Sequence, residues 1–369
     1  MTAVVFHHPE SLSTEELLDP RPEIGQRFDR FEFELLDSQL RRIGVIFPST
    51  ESAPTISAST DRTQMRDLSN LEFTKSDYEH VDPFRDRLRP VCVLQNETRW
   101  PLGVYLFGEQ NRQVSTRDVT FQLKMTDQAF MLDQNLAQTF SIGKGASIDS
   151  AFVALAHASG VAQVQVAGHP AYAAAPKAYA AGTSIYDALK DMATLMGCLA
   201  PYFDNNGVFW ARVAPDPDGT GSPQFTFGPG RIVADSIVET DDSYNAPNRY
   251  IVTGDGTDNP VSGFFDVPTS APHSIPHRGF VVADTQSVTG ITTVTQAANA
   301  ARVNYTQDTR SWEKVAFETL LDPRMDLFAL IEFNGSTGRG LYLETGFNQT
   351  LRFDGQHTHE ANRLWDRFG

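Results

Sequence analysis

The chain has 369 residues, of which 40% are hydrophobic and 21% charged. That is long enough for two to four packed cores and too apolar for a disordered chain. The net charge of −16 is spread evenly: residues 1–150 carry 16 basic and 23 acidic side chains, and residues 151–369 carry 14 and 23. With no Lys/Arg cluster, no run near ~18 apolar residues and no leader-like N-terminus in MTAVVFHHPESLSTEELLDP, the expectation is a soluble chain. It should be made in a cytoplasm, not be exported on its own, and not read nucleic acid by sequence. Cys92 and Cys198 stand far apart and are expected to be buried free thiols.

Residues 1–27 are Pro- and charge-rich and read as an N-terminal arm, His7 and His8 included. From Phe28 the pattern turns β-like. FDRFEFELL alternates, with Phe31, Phe33 and Leu35 on one face. RIGVIFP, Thr55–Thr60, Leu68–Phe73, VCVLQ, LGVYLFG and a long run from Gln113 to Met125 read as further strands. Pro83, Asn96 and Asn111 supply turn chemistry near them. Arg85, Arg87 and Arg89, interleaved with Asp82 and Asp86, read as a solvated or subunit-facing loop. Residues 28–140 thus predict a first β-sandwich or barrel module.

Residues 141–222 are Ala-rich and predict an α/β insert. SIDSAFVALAHASG is a helix with Ser147 as N-cap and Gly160 as stop. The GKGAS run before it lacks phosphate-loop spacing and reads as a plain helix entry. Residues 161–181 are ambiguous. Ser184 and Asp187 have capping-box spacing, and Ile185, Leu189, Met192, Leu195 and Met196 share one face, with Gly197 closing the helix. CLAPYF and VFWARV flank DNNG (Asp204–Gly207), a hairpin signal. Ala214–Pro223 is linker-like, and its DPDG reads as a turn rather than a calcium loop.

Residues 223–369 predict a second β-module. QFTFG, IVADSIVET and Tyr250–Thr253 are strands, and the last enters an extended Pro-rich loop, FFDVPTSAPHSIPHRGFVV. A helix follows with Thr295 as expected N-cap and Ala298, Ala301 and Tyr305 on one face. WEKVAFETL, DLFALIEFN and LYLETGFNQTLRFD are the closing strands. The fold class is therefore α+β, mainly β: two β-barrel or sandwich modules with an α/β insert between them.

Catalytic patterns are missing. There is no G-x-S-x-G elbow, no HExxH, and no motif around either cysteine. His357 and His359 would share one face if they sat on a strand. They lack an evident third ligand, although Asp354 and Glu360 are near. They are expected to be surface polar residues, with a metal or trimer-axis site as the alternative. No catalytic, cofactor or metal residue is assigned.

Thr183–Val213, Asn248–Gly256 and the Thr295 helix before WEKVAFE and MDLFALIEF together resemble the hub proteins of bacteriophage tail tips. Such proteins are known in many siphophages as minor tail proteins. They are similar to the N-terminal part of tail-associated lysins and to the baseplate hub of contractile-tailed phages. The resemblance implies a structural virion protein at the tail tip, built as a homotrimer whose six tube-like modules adapt a sixfold tail to threefold tip components. It implies contacts with distal tail protein, tape measure protein and tip fibre or spike proteins, and DNA passing through the lumen without specific binding. It implies no enzyme and no cofactor. The chain stops at Gly369 with no hydrolase or fibre segment, so piercing or digestion is expected to belong to another protein. The competing readings are a cell-wall hydrolase of unfamiliar type, or a distal tail or adhesin protein binding host carbohydrate through Trp100, Trp210, Trp312 and Trp365.

Overall fold

The computed structural model describes residues 30–364, except 50–52, 62, 64, 95, 115–118, 174–175, 214–222, 229–230, 234–235, 242–245, 256–259, 309–312, 336–337 and 353–354. The arm over 1–27, the DPDG turn, Asp354, Trp312 and Trp365 lie outside the described residues. The protein is α+β and mainly β.

The N-terminal strands are β1 (Arg30–Leu36), β2 (Arg42–Ile46), β3 (Thr55–Ser59), β4 (Arg66–Thr74), β5 (Arg87–Val93), β6 (Arg99–Pro101), β7 (Tyr105–Val114) and β8 (Val119–Asp127), with a single turn α1 (Lys75–Tyr78) after β4. The run from Gln113 to Met125 is not one strand. Val114 pairs with Val119, so it forms the far end of the β7–β8 hairpin. Asn111 consequently lies inside β7 opposite Gln122 rather than in a turn. Both faces of β1 are covered. Leu36 is buried, and so is Glu34, against the expected one-sided alternation.

The insert follows: α2 (Ala129–Leu132), β9 (Phe140–Ile142), α3 (Ile148–Ala158), β10 (Val164–Ala167), β11 (Lys177–Tyr179), α4 (Ile185–Leu195), β12 (Tyr202–Phe203) and β13 (Phe209–Arg212). The caps form as their chemistry requires. Ser147 Oγ accepts the Ser150 N–H and Ser184 Oγ the Asp187 N–H, each at 3.2 Å. Gly160 and Gly197 follow their helices with φ of 92° and 67°, the left-handed exit that glycine takes without strain. The apolar stripe of α4 is buried from Ile185 through Met196. Phe209 stacks on Phe152 of α3 at 5.5 Å and tilts against Phe203 at 4.8 Å, so the two helices and the β10-β13-β12 sheet share one core.

The remaining elements are β14 (Phe225–Phe227), β15 (Val238–Asp241), β16 (Arg249–Asp255), β17 (Ser262–Asp266), α5 (Ile275–Arg278), β18 (Ala283–Thr289), α6 (Val294–Gln307), β19 (Glu313–Leu320), β20 (Leu330–Gly335), β21 (Gly338–Thr350) and β22 (Gln356–Leu364). The N-cap of α6 is Thr293, not Thr295: Thr293 Oγ1 accepts the Gln296 N–H at 3.2 Å. Its buried face is Ala297, Ala300, Ala301, Val303 and Tyr305. The helix rests on a sheet of its own, β17-β16-β18; of the expected extended loop only Phe264–Asp266 join this sheet, in β17, and the loop then carries the single turn α5 before β18. Gly263 of β17 permits this close approach, because a Cβ there would meet the Ala298 nitrogen at 2.5 Å.

The largest sheet has 14 strands and runs β15-β19-β22-β21-β3-β4-β8-β7-β5-β1-β2, with β20 and β14 branching from β21 and β6 from β5. Strands from both ends of the chain thus join edge to edge. The seam is the antiparallel pair β3–β21, from Gly346 opposite Ser59 to Thr350 opposite Thr55. Leu189 lies at the centre of the insert core and is fully buried. Leu189→Asp places an unpaired charge there and is expected to cost roughly 3–5 kcal/mol. Urea denaturation of the two proteins measures this, and an unchanged midpoint contradicts the packing described.

Candidate functional site

Two polar constellations lie inside this scaffold. The first joins β4, the DNNG hairpin and the Asp322–Leu327 turn. Arg66, in β4, is 1% exposed. Its Nη1 donates to Asn205 Oδ1 at 2.5 Å, its Nη2 pairs with Asp326, and its backbone N–H donates to Asp127 Oδ2 at 3.2 Å. Asn205 is used at every polar group. Besides accepting from Arg66, it donates its backbone N–H to Asp326 Oδ2 at 3.1 Å and its amide to Met325 O at 2.7 Å. Its carbonyl accepts the Gly103 N–H at 2.9 Å. Gly207 closes the turn with φ of 79°, and a Cβ there would strike Val104 at 2.6 Å. Arg212 adds a second clasp, donating to the carbonyls of Leu327 at 3.3 Å and Phe328 at 3.2 Å while lying over the Tyr202 ring.

The second constellation lies on the inner face of β22. His357 and His359 are fully buried, contrary to the surface expectation, because β22 is an interior strand flanked by β19 and β21. Their rings lie 3.9 Å apart. Glu344 of β21 is also fully buried, and its Oε1 lies 3.1 Å from His359 Nδ1. Burial pushes the His357 imidazole down to about 3, pushes His359 well below its ordinary value, and raises the Glu344 carboxyl well above its own. Glu344 is the third group that sequence spacing did not supply. It lies 13 residues upstream of His357 and meets the pair only across the β21–β22 ladder. Glu360, named from proximity in sequence, is exposed on the other face of β22.

The arginine run is only partly solvated. Arg89 donates to Glu34 from Nε at 2.8 Å and Nη2 at 2.6 Å, and Arg99 reaches the other carboxylate oxygen at 3.2 Å. Buried Glu34 is thereby paired, as a charge on the second face of β1 must be. Cys92 and Cys198 are buried free thiols as expected. Burial pushes the Cys198 thiol up to about 12, far from a nucleophile's range. Trp210 donates its indole N–H to Asp204 at 3.0 Å, and both Trp210 and Trp100 pack half-buried on the main core. No described helix is long and apolar enough to cross a membrane.

Solved structures share this fold. A tail protein from Neisseria meningitidis MC58 matches with a TM-score of 0.60 over 91% of this chain and 98% of its own, at 12% identity. The fold is that of phage tail proteins. The 43 kDa tail protein of prophage MuSo2 from Shewanella oneidensis matches with a TM-score of 0.57 over 91% and 99%, at 11% identity. Prophage tail protein gp18 from Listeria monocytogenes EGD-e matches with 0.56 over 90% and 95%, at 8% identity. No protein-family model and no curated protein matches the chain in sequence. In this fold the Arg66 junction ties three chain segments together.

Two outcomes test the junction. Arg66→Met strands Asp326 and Asn205 and is expected to cost roughly 3 kcal/mol. Combined with Asn205→Ala, the loss should fall short of the sum of the single losses by at least ~0.5 kcal/mol; simple additivity contradicts a shared network. The second outcome concerns Asp127, whose carboxyl burial raises to about 7. The unfolded chain ionises this group from about 3.8 upward, so the contribution of Asp127 to wild-type stability falls as pH rises to about 7 and is level beyond it. Asp127→Asn lacks this term. Its stability relative to wild type should therefore rise by about 2–3 kcal/mol between pH 5 and pH 8 in urea titrations. A pH-independent difference shows that Asp127 is ionised throughout.

Proposed function

We propose that the chain is the structural hub of a phage tail tip. Three copies form a ring that adapts a sixfold tail to threefold tip components and lets DNA pass during ejection. One observation carries this reading: each chain supplies two sets of strands, β1–β8 and β14–β15 with β19–β22, fused through the β3–β21 pair. The proposed division is 1–27 as arm, 28–140 and 223–369 as the two tube-like modules, and 141–222 as the insert. Two modules per chain make six in a trimer, which matches sixfold and threefold neighbours at once. Closed cyclic assembly also removes exposed strand edges. Among the described strands, β2 and β15 end the main run of the long sheet; Ile43 in β2 and Phe47 just after it are exposed apolar side chains, as are Val238 in β15 and Ile237 just before it.

Partners in this reading are the distal tail protein, the tape measure protein and tip fibre or spike proteins, and the location is the virion. The role is non-enzymatic. Neither thiol lies in a setting that activates it, and the buried Glu–His cluster has no solvent-exposed member to meet a substrate. Quantitative stoichiometry of assembled particles tests the ring. Three copies per tail support it; one or six contradict it. Duplex binding tests the passive channel. A net charge of −16 per chain, with fields fading beyond ~8 Å at physiological salt, predicts no measurable affinity at moderate salt. Micromolar, salt-sensitive binding through a contiguous basic belt contradicts it.

A further inference from the structure

The Glu344–His357–His359 cluster lies where two apolar cores meet. His359 packs against Phe227 and Phe317 of the smaller core, and His357 against Phe347 of the larger. Polar groups in such a place need complete partners, and here they are incomplete. Glu344 Oε2 is buried with no hydrogen-bond partner. The neighbours of the His357 ring nitrogens are the Gln349 amide nitrogen, at 3.2 and 3.4 Å, and the Asp322 backbone N–H at 3.5 Å. With the Gln349 amide in this orientation all are donors, and none of them receives the ring's own N–H.

The tautomer of His359 follows from Thr319. The Thr319 hydroxyl gives its single proton to Leu320 O at 2.8 Å, so it accepts from His359 Nε2 at 2.9 Å. The lone pair of His359 Nδ1 therefore faces Glu344 Oε1 at 3.1 Å. Two acceptors face one another, and only a proton or a cation between them resolves that arrangement.

We propose that Glu344, His357 and His359 bind one divalent ion of the zinc class as a structural site closed to solvent. The donor set is two imidazoles and one carboxylate, a borderline nitrogen–oxygen set that suits zinc. One ligand atom from each residue lies within 4.8 Å of the others, so small side-chain rotations bring them to bonding distance. A half-turn of the buried Gln349 amide offers its carbonyl oxygen as a fourth ligand. Thr319 and the Leu320 carbonyl hold His359 in the ligating tautomer, the outer-shell arrangement expected around a metal-bound histidine. The ion would clamp β21 to β22 at the boundary between the cores. It adds a stabilising contact to the scaffold and leaves the hub role unchanged.

The test uses the full-length chain, stripped with chelator and titrated with Zn2+. Wild type is expected to bind one ion per chain by mass spectrometry of the dialysed protein, and to melt several degrees higher with zinc than without. Cobalt substitution should give the visible absorption of a tetrahedral ion. Glu344→Gln keeps the shape and removes the charge, so it should fold and melt like the metal-free wild type while losing stoichiometric zinc. Glu360→Gln, on the exposed face, should keep it. If Glu344→Gln does not fold, His359→Gln takes its place with the same expected loss. The proposal is overturned if wild type holds no more zinc than Glu344→Gln or His359→Gln, or if zinc leaves its melting temperature unchanged.

Discussion

Arg66 is a buried cation, and its guanidinium joins its own strand to two segments far away in sequence. A buried charge is tolerated only when it is paired and hydrogen-bonded. Asp326 supplies the opposite charge, Asn205 supplies the acceptor, and Phe347 lies 5.8 Å beneath as an aromatic floor. Because each partner comes from a different segment, none can shift alone without leaving a polar group unpaired. The junction therefore fixes how the N-terminal strands, the insert and the C-terminal strands sit against one another. Hydrophobic contact gives no such directionality, and the main apolar cluster runs through all three segments.

The continuous 14-stranded sheet follows from that fixed geometry. The seam between β3 and β21 is only five residues long. Beside it, Arg66 on β4 and Asp326 beyond β19 hold the two strand sets in register. The insert is tied in by its own turn. Asp204 to Gly207 looks like a simple hairpin closure, yet Asn205 at its tip makes four hydrogen bonds outside the hairpin. A pair of β-sets with an insert clamped to their joint would suit the ring proposed above.

Much of this was legible in the sequence where local chemistry decides structure. The α3 and α4 helices announce themselves through Ser147 and Ser184 as caps and through a regular apolar stripe. DNNG marks its hairpin, and Glu313–Leu320 alternates cleanly. Elements set by distant partners were not legible. β22 reads as polar, QHTHEANRL, because its inward residues include two histidines and an asparagine that find partners only on β19, β21 and the α6 exit. Likewise β17 and β18 have weak strand patterns, and they form because β16 pairs with both and α6 packs on β17 and β16. Glu344 could not be joined to the histidines without the cross-strand register. The same holds for Arg66, an ordinary-looking residue in a short polar segment whose burial depends on Asn205 and Asp326, 139 and 260 residues away.

The central claim is that one chain contributes two tube-like β-sets to a threefold ring. A symmetry-resolved image of an assembled tail tip tests it most directly. The account predicts six β-modules around the channel, in which the β1–β8 set alternates with the β14–β15 and β19–β22 set and each neighbouring pair is joined through β3 and β21. A wall built from one set alone, or a ring in which the two sets of a chain do not both face the channel, contradicts it.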